Sequence, residues 1–225
     1  MSTIYISAIL DKVMEVTGDA VPSQTSKTQM VSWLCEGERV IVKKKPDAYM
    51  KTTAAQMVEG TMQTLASDGA MFAKPVCNMG TDGTTPGNVV HLVNENFINK
   101  STPDWHSEEG EATIKSVIFN IDDPKIFYVS PPQPSSDQGF LRYRYFAIPP
   151  EITIVAGNYD VVFNLGNEYE PDLVNYILAR IYSKDGGQLI SAGALNRAKM
   201  YNGLFSGDLQ YQEAVEDAKD PNRKA

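Results

Sequence analysis

Residues 40–58, "VIVKKKPDAYMKTTAAQMV", contain the change from helix to strand on which the fold depends. A helix that begins near Lys27 carries Val31 and Ile41 on its apolar face, and Pro46 ends it because proline cannot continue a helical ladder. Beyond this proline the chain continues in short alternating runs separated by turn residues, which is typical of antiparallel strands. The stretch therefore predicts a helical segment followed by a β region.

Helices are predicted at both ends of the chain. Residues 3–16 place apolar side chains at helical spacing, and Gly18 follows as a natural stop. Near the other end, Pro171 suits the first turn of a helix that the glycine pair at 186–187 would end. A last helix is predicted over residues 188–205, and it should form an αα-hairpin with the one before it.

Strands are predicted between these helices. Residues 51–58 and 61–67 flank a Glu-Gly pair and predict a β-hairpin. A short strand and one or two helical turns near 94–99 come next. Three later runs predict a β-meander of one sheet: 112–121, 125–132 and 139–150.

The fold class that follows is α+β, with terminal helices that form a helical bundle and a central antiparallel β-sheet insertion. We expect the bundle to comprise residues 1–48 and 171–206, and the mainly β insertion to comprise residues 49–170. Residues 207–225 are polar and predict an extended C-terminal tail.

Composition excludes several classes of function. The 225 residues are 42% hydrophobic and 21% charged, no run approaches the length of a membrane span, and no leader sequence is recognisable at the start. A net charge of -8 and a pI near 4.8 argue against binding to the phosphate backbone of nucleic acids. The basic run 43–45 is interpreted as a solvated helix end. Cys35 and Cys77 predict reduced, partly buried thiols, with a disulfide between them as the alternative.

Residues that carry out chemistry are not recognisable in the sequence. His91 and His106 have no partner at a metal-ligand spacing, and His91 is interpreted as an imidazole hydrogen-bonded within the fold. Trp105, in the sequence Asp-Trp-His, is interpreted as an anchor with polar neighbours in a loop. Residues 106–111, "HSEEGE", predict an exposed acidic loop. We therefore expect no catalytic residue, no metal and no cofactor.

Residues 77–88, "CNMGTDGTTPGN", are rich in glycine like many ligand-binding loops but lack the residues that such loops require. No lysine follows Gly83 or Gly87 as a phosphate-binding P-loop requires, and the glycine spacing does not fit a dinucleotide site. Asp82 lacks the alternating oxygen ligands and closing carboxylate of a calcium loop. The stretch is interpreted as a long, ordered connection built on the conformational freedom of glycine.

The order and spacing of several motifs over most of residues 1–205 resemble a phage family of head-to-tail adaptor proteins. The plan is similar to the tail tubular protein A group of short-tailed phages and to the head-completion connectors of other tailed phages. The motifs are "VSWLCEGERVIVKKKPDA", "GTMQTLASDG", "NMGTDGTTPGNVVHLV", "TPDWH", "FNIDDPKIFYVSPPQP" and "YILARIYSKD".

The resemblance implies a structural virion protein of the tail or neck, present in the host cytoplasm during assembly. Copies would form a ring, typically dodecameric, that docks beneath the portal protein and gives the tail nozzle or other tail proteins an attachment platform. The helical bundle would form the ring wall, and the β portion would face neighbouring rings or tail components. DNA would pass through the lumen without specific binding, no membrane is involved, and residues 207–225 would reach into the portal.

Candidate interface residues are those that a packed ring would use. They are two aromatics taken as exposed, a small-residue patch that would let a helix approach closely, and two residues of the tail: Trp33, Trp105, Ala192, Gly193, Ala194, Leu209 and Tyr211. Two alternatives stay open. One is a virion-associated hydrolase that uses carboxylates such as Asp104 or Glu109, and the other is a different virion ring, such as a stopper or tail terminator.

Overall fold

The computed structural model describes residues 3–18, 25–188 and 192–219. The chain divides into two compact units. The first unit comprises Met1–Ala48 and Pro149–Ala225, and the second comprises Tyr49–Ile148. The described residues form five α-helices: α1 (Ile6–Thr17), α2 (Lys27–Lys44), α3 (Glu95–Ser101), α4 (Glu170–Gln188) and α5 (Ala192–Lys219).

The first unit is a helical bundle in which α4 contacts α1, α2 and α5. Leu173 and Ile177 of α4 are fully buried. A Cβ at Gly37 of α2 would lie 3.1 Å from the side chains of Leu173 and Tyr176, so glycine lets these two helices approach closely. Tyr176 also packs on Phe205 of α5, with 5.1 Å between ring centroids. The predicted bundle of terminal helices and the α+β fold class are therefore confirmed.

The helix ends follow local sequence. Ser26 caps α2, since its Oγ accepts a hydrogen bond from the backbone N–H of Gln29 at 3.2 Å. Lys43 and Lys44 occupy the last turn of α2, where cations interact favourably with the helix dipole. Gly18 ends α1 in the left-handed conformation, with φ +70°.

The left-handed Gly18 gives a testable prediction about stability. Gly18→Ala is expected to lower the free energy of unfolding by about 1 kcal/mol, because a Cβ disfavours left-handed backbone even though no atom lies within 4 Å. Gly203→Ala is the matched control, since this glycine lies inside α5 with equally open space and alanine should raise stability there by about 0.5–1 kcal/mol. Urea titrations of both variants measure the two signs, and equal effects would contradict the assignment.

The C-terminal helix is longer than the sequence indicated. α5 runs to Lys219, so the expectation of a helix end at residue 205 and an extended tail over 207–225 is wrong for residues 207–219. The reason is that Phe205 and Leu209, one helical turn apart, are both buried. This burial offsets the cost of about 1 kcal/mol that Gly207 brings as a glycine within a helix.

Residues 149–166 belong to the first unit, whereas the sequence placed them in the β insertion. They form no helix and no strand, but they make hydrogen bonds to the helices of the first unit. The N–H of Ile6 donates to the carbonyl of Val161 at 2.8 Å, and that of Ser7 donates to the carbonyl of Tyr159 at 3.0 Å. This pairing with the start of α1 keeps the segment in the first unit.

The second unit contains seven strands in two sheets. The strands are β1 (Met50–Gln56), β2 (Gly60–Thr64), β3 (Gly69–Asn78), β4 (His91–Val93), β5 (Ser116–Phe119), β6 (Ile126–Gln133) and β7 (Phe140–Ala147). The three-stranded sheet has the order β1-β7-β3, and the four-stranded sheet has the order β2-β6-β5-β4. All pairs are antiparallel except β4 with β5.

The predicted hairpin of residues 51–58 with 61–67 is wrong. β1 pairs with β7, and β2 pairs with β6 in the other sheet. The buried side chain of Gln63 bonds both the N–H and the carbonyl of Val58, at 2.8 and 2.9 Å, which are the backbone groups that a hairpin would have used. Gly60, with φ +85°, turns the chain from one sheet to the other.

The predicted three-stranded meander is correct for its first two strands and wrong for the third. β5 and β6 are antiparallel neighbours, but β7 joins the three-stranded sheet. The change of sheet occurs after β6, where the side chain of Gln133 accepts a hydrogen bond from the N–H of Gly139 at 2.8 Å. A Cβ at Gly139 would lie 1.8 Å from the carbonyl oxygen of Ala112, so only glycine fits this crossing.

Two clusters of buried side chains define the layers of the second unit. The larger lies between the two sheets and includes Phe72, Phe127 and Tyr143. The smaller lies on the other side of the four-stranded sheet, where Ile118 packs with Trp105. The layers therefore follow in this order: α3 with Trp105, the four-stranded sheet, the larger cluster of buried side chains, and the three-stranded sheet.

Candidate interaction surfaces

The structure locates the sequence-predicted interface residues in different environments. Trp33 is half-buried on α2, Gly193 is exposed on α5, and Ala194 is half-buried. Leu209 is buried rather than available on a tail. The side chains of Ala192 and Tyr211 lie outside the described residues.

Side chains further along α5 than the small-residue patch pack within the bundle. Among the α5 side chains that the structure describes, Ala198, Phe205 and Leu209 are buried, and Tyr201 stacks on Tyr182 of α4 with 5.8 Å between centroids. Gly193 instead lies on the exposed side of α5, together with Met200 and Leu204.

Trp105 is buried, with 2% of its surface exposed, so its interpretation as an exposed aromatic is wrong. Its indole N–H donates to Oδ1 of Asn99 at 2.9 Å, and its ring stacks on His106 with 3.6 Å between centroids. The ring of Tyr128 on β6 is perpendicular to the indole ring, with 6.0 Å between the two centroids. Trp105 is thus the anchor of its loop, as the sequence interpretation proposed, and it attaches the loop to the four-stranded sheet.

The acidic loop, defined as residues 104–111, follows from this anchor. Asp104, Glu108 and Glu109 are exposed, and Glu111 forms an ion pair with Lys115 at 3.0 Å. The N–H of Glu111 donates to the carbonyl of Pro132 at 2.9 Å, so the loop is fixed at both ends. The predicted exposed acidic loop is confirmed.

The glycine-rich stretch is a connection, as predicted from its residues. Two of its three glycines, Gly80 and Gly83, have φ of +61° and +74°. The carboxylate of Asp82 accepts hydrogen bonds from the N–H groups of Thr84 and Thr85, at 2.9 and 3.1 Å, and from their hydroxyls. The bonds from Thr84 hold the pKa of this carboxyl well below its usual range. A Cβ at Gly83 would lie 2.7 Å from the ring of Phe140, so the connection packs against β7.

The outward side of the three-stranded sheet forms what we call the basic face. Cross-strand partners share one side of a sheet, so the register assigns alternate residues of β1, β7 and β3 to this side. Its cations are Arg142, Arg144 and Lys74. The other residues that the register assigns to this side are Met50, Thr52, Ala54, Gln56, Phe140, Phe146, Met71 and the buried Cys77.

The charges of the basic face have no counter-charge there. No outward residue is acidic, and among the residues that the structure describes neither arginine nor Lys74 takes part in an ion pair. Arg144 and Lys74 are exposed, whereas Arg142 is half-buried. Sequence patterns did not indicate this face, because its cations come from two strands that are far apart in the chain, with Lys74 on β3 and the two arginines on β7. The alternation "LRYRYF" in β7 is the signal that could have indicated it.

Buried and paired carboxylates elsewhere have structural partners. Glu38, fully buried in α2, accepts hydrogen bonds from the backbone and side-chain N–H groups of Asn164 at 2.7 and 2.8 Å. Burial raises the pKa of Glu38, and the bonds from Asn164 oppose that shift. In the second unit, a hydrogen bond from Lys51 lowers the pKa of Asp68, which also accepts one from Tyr145. These groups fix the 149–166 segment and the β2–β3 turn.

The thiols are buried, whereas the two histidines lie at the surface of the second unit. Cys35 and Cys77 are free and buried, which confirms the predicted reduced thiols. Burial raises the pKa of Cys35, whose sulfur accepts a hydrogen bond from the N–H of Ile152 at 3.5 Å. His91 is exposed on β4 rather than held within the fold. His106 Nδ1 lies 2.9 Å from the hydroxyl of Thr61.

Neither a metal site nor a membrane span is present among the residues that the structure describes. Within residues 3–18, 25–188 and 192–219, no group of three or more His, Cys, Asp or Glu side chains is arranged to hold a metal ion. None of the helices in these ranges has the length and apolar character needed to span a bilayer. An open groove of about 400 Å³ lies between α2 and residues 151–159.

The geometry describes a two-unit protein whose second unit has a basic face and an acidic loop. A family model described as SU10 adaptor protein matches residues 5–225. The chain therefore belongs to the SU10 adaptor protein family, a phage head-to-tail adaptor family with a structural role in the virion. This confirms the resemblance found in the sequence. No curated protein matches the chain.

Proposed function

We propose that this protein assembles as a ring, typically dodecameric, beneath the portal of a tailed phage and provides the attachment platform for the tail. The observation that carries the proposal is the family match over residues 5–225. In this proposal the first unit forms the ring wall, the second unit faces tail components, and DNA passes through the lumen. No catalytic step is part of this function.

Two features of the chain support a ring around DNA. The net charge of -8 suits a conduit that does not bind its cargo, because carboxylates repel phosphates. The outer side of α5 exposes Met200 and Leu204, and Gly203 and Gly207 on the same helix have open space where a Cβ would lie. A neighbouring helix could approach such a surface closely. The end of α5, together with the chain beyond it, is the segment we assign to the portal.

The experiment that tests this function combines the purified protein with purified portal. Mass photometry should show a ring of copies on the portal, and a mixture that shows neither rings nor portal binding would overturn the proposal.

Electron microscopy of virions made without this protein separates the adaptor from other virion rings. Full heads without tails support an adaptor, whereas leakage of DNA from heads that carry every other neck protein supports a stopper, and intact necks with overlong tails support a terminator.

A further inference from the structure

The basic face differs in charge from the rest of the second unit. The second unit contains more acidic than basic residues, yet the outward side of its three-stranded sheet has three cations and no carboxylate. Thr52 and Ala54 of β1 lie directly opposite Arg144 and Arg142 in the register, so small side chains flank the two arginines on the β1 side, while Lys74 of β3 lies opposite Arg144. An incoming acidic segment therefore meets two planar donors, the exposed one of Arg144 and the half-buried one of Arg142.

The acidic loop is anchored on the opposite side of the same unit. Trp105 packs with Ile118 and Tyr128 on one side of the four-stranded sheet. Val117 and Phe127, their neighbours on β5 and β6, point to the other side, into the core that the three-stranded sheet covers. The basic face lies beyond that core. The basic face and the acidic loop therefore lie on opposite sides of the second unit, and their charges are of opposite sign.

We infer that the basic face of one copy binds the acidic loop of the next copy, and that this contact joins neighbouring second units in the assembly. The inference rests on the proposed ring, for which it names a subunit contact. A contact between two different patches on opposite sides of one unit is head-to-tail, and such contacts close into rings when the rotation between copies allows it.

The chemistry of the two surfaces is matched. Arginine presents paired N–H donors in one plane, which fit a carboxylate with two parallel hydrogen bonds. Asp104, Glu108 and Glu109 form no ion pair among the described residues, so their carboxylates are available. The fixed ends of the acidic loop reduce the entropy that ordering it would cost. Exposed ion pairs are screened by salt, so the contact should weaken as ionic strength rises.

The charge complementarity within the chain favours a second copy over DNA as the occupant. Binding to a phosphate backbone usually draws on a larger group of lysines and arginines than three. The basic face also ends at the packed ring of Phe140, against which Gly83 lies, so it is a short patch and not a continuous track. Binding of DNA is nevertheless a distinct outcome of the experiment below.

The test is a charge swap between two variants of the full chain. Arg142→Glu/Arg144→Glu makes the basic face acidic, and Glu108→Lys/Glu109→Lys makes the acidic loop basic. Each variant alone has two like charges at the proposed contact, so its association constant should fall more than about tenfold. An equal mixture of the two variants should assemble again, because each acidic surface then meets a basic one.

The assemblies are measured by analytical ultracentrifugation and by mass photometry with portal, at ionic strengths from about 0.1 M to about 1 M, where the Debye length falls from about 10 Å to about 3 Å. Lys43→Glu/Lys125→Glu is the matched control: it changes the net charge as much as the basic-face variant, at two exposed lysines outside both surfaces. It should assemble as the wild type does. Circular dichroism confirms that each variant is folded.

The outcomes separate this inference from the proposed function. If the wild type assembles and both reversed variants assemble equally well, the charge contact is wrong and the ring stands. The same conclusion holds if the mixture of reversed variants stays dissociated. Loss of binding to a short DNA duplex in Arg142→Glu/Arg144→Glu, with assembly unchanged, would assign the basic face to DNA. A wild-type chain that stays monomeric with and without portal would overturn both proposals.

Discussion

Replacement of Phe72 by alanine is expected to lower the free energy of unfolding of the second unit by about 3–5 kcal/mol. Phe72 is 1% exposed in the core between the two sheets. Its ring centroid lies 4.7 Å from that of Phe127 and 5.4 Å from that of Phe119. The substitution removes these contacts and leaves a cavity bounded by both sheets, which cannot close without disturbing strand pairing.

The two tryptophans of the chain make this measurement specific to one unit. Trp33 lies in the first unit and Trp105 in the second. In a Trp33→Phe background, tryptophan fluorescence during a urea titration therefore reports the second unit alone. Phe97→Ala is the control, because Phe97 is 66% exposed and its removal should change the free energy of unfolding by less than about 0.5 kcal/mol. Equal midpoints for the two variants would show that the core between the sheets is not as described.

Replacement of Trp105 by alanine is expected to cost about 3–5 kcal/mol as well, and to release the acidic loop. The indole is the largest fully buried side chain of the described residues and holds the loop to the four-stranded sheet. Trp105→Phe should have a smaller effect. It keeps an aromatic ring in the site and loses the hydrogen bond to Asn99, which is worth about 1 kcal/mol.

A glutamate-specific protease measures the release of this loop, since Glu108, Glu109 and Glu111 follow the anchor. Cleavage under native conditions should be fastest in Trp105→Ala, intermediate in Trp105→Phe and slow in the wild type. Trp33→Ala controls for the loss of a tryptophan elsewhere, and it should leave the cleavage rate at these glutamates unchanged. Cleavage in Trp105→Ala at the wild-type rate would show that other contacts hold the loop.

Local signals were sufficient to predict most of the helices. The stops at Gly18 and Pro46, and the start at Pro171, depend on backbone conformations that single residues favour or forbid. The end of α5 could not be predicted in this way. Its continuation past Gly207 depends on the burial of Leu209, and burial is decided by packing.

Strand pairing was predicted less well, because turn residues indicate where a strand ends and not which strand it joins. The Glu59-Gly60 pair was read as a hairpin turn, yet Gln63 bonds the backbone of Val58 and the chain crosses to the other sheet. The basic face is a product of such long-range pairing. Lys74 and Arg144 become neighbours only through the β3–β7 register. The acidic loop, which is continuous in sequence, was recognisable without the structure.

The pairing of Met50 with Phe146 has a consequence for the evolution of this chain. These residues lie near the two ends of the second unit, and partners in an antiparallel ladder have Cα atoms only about 5 Å apart. The chain therefore enters and leaves the unit at adjacent points. A short turn could span the same gap, so the whole unit can be exchanged or remodelled as a cassette while the α2 and α4 sequences on either side are kept. In a virion, such modularity would allow one helical scaffold to serve different tail partners.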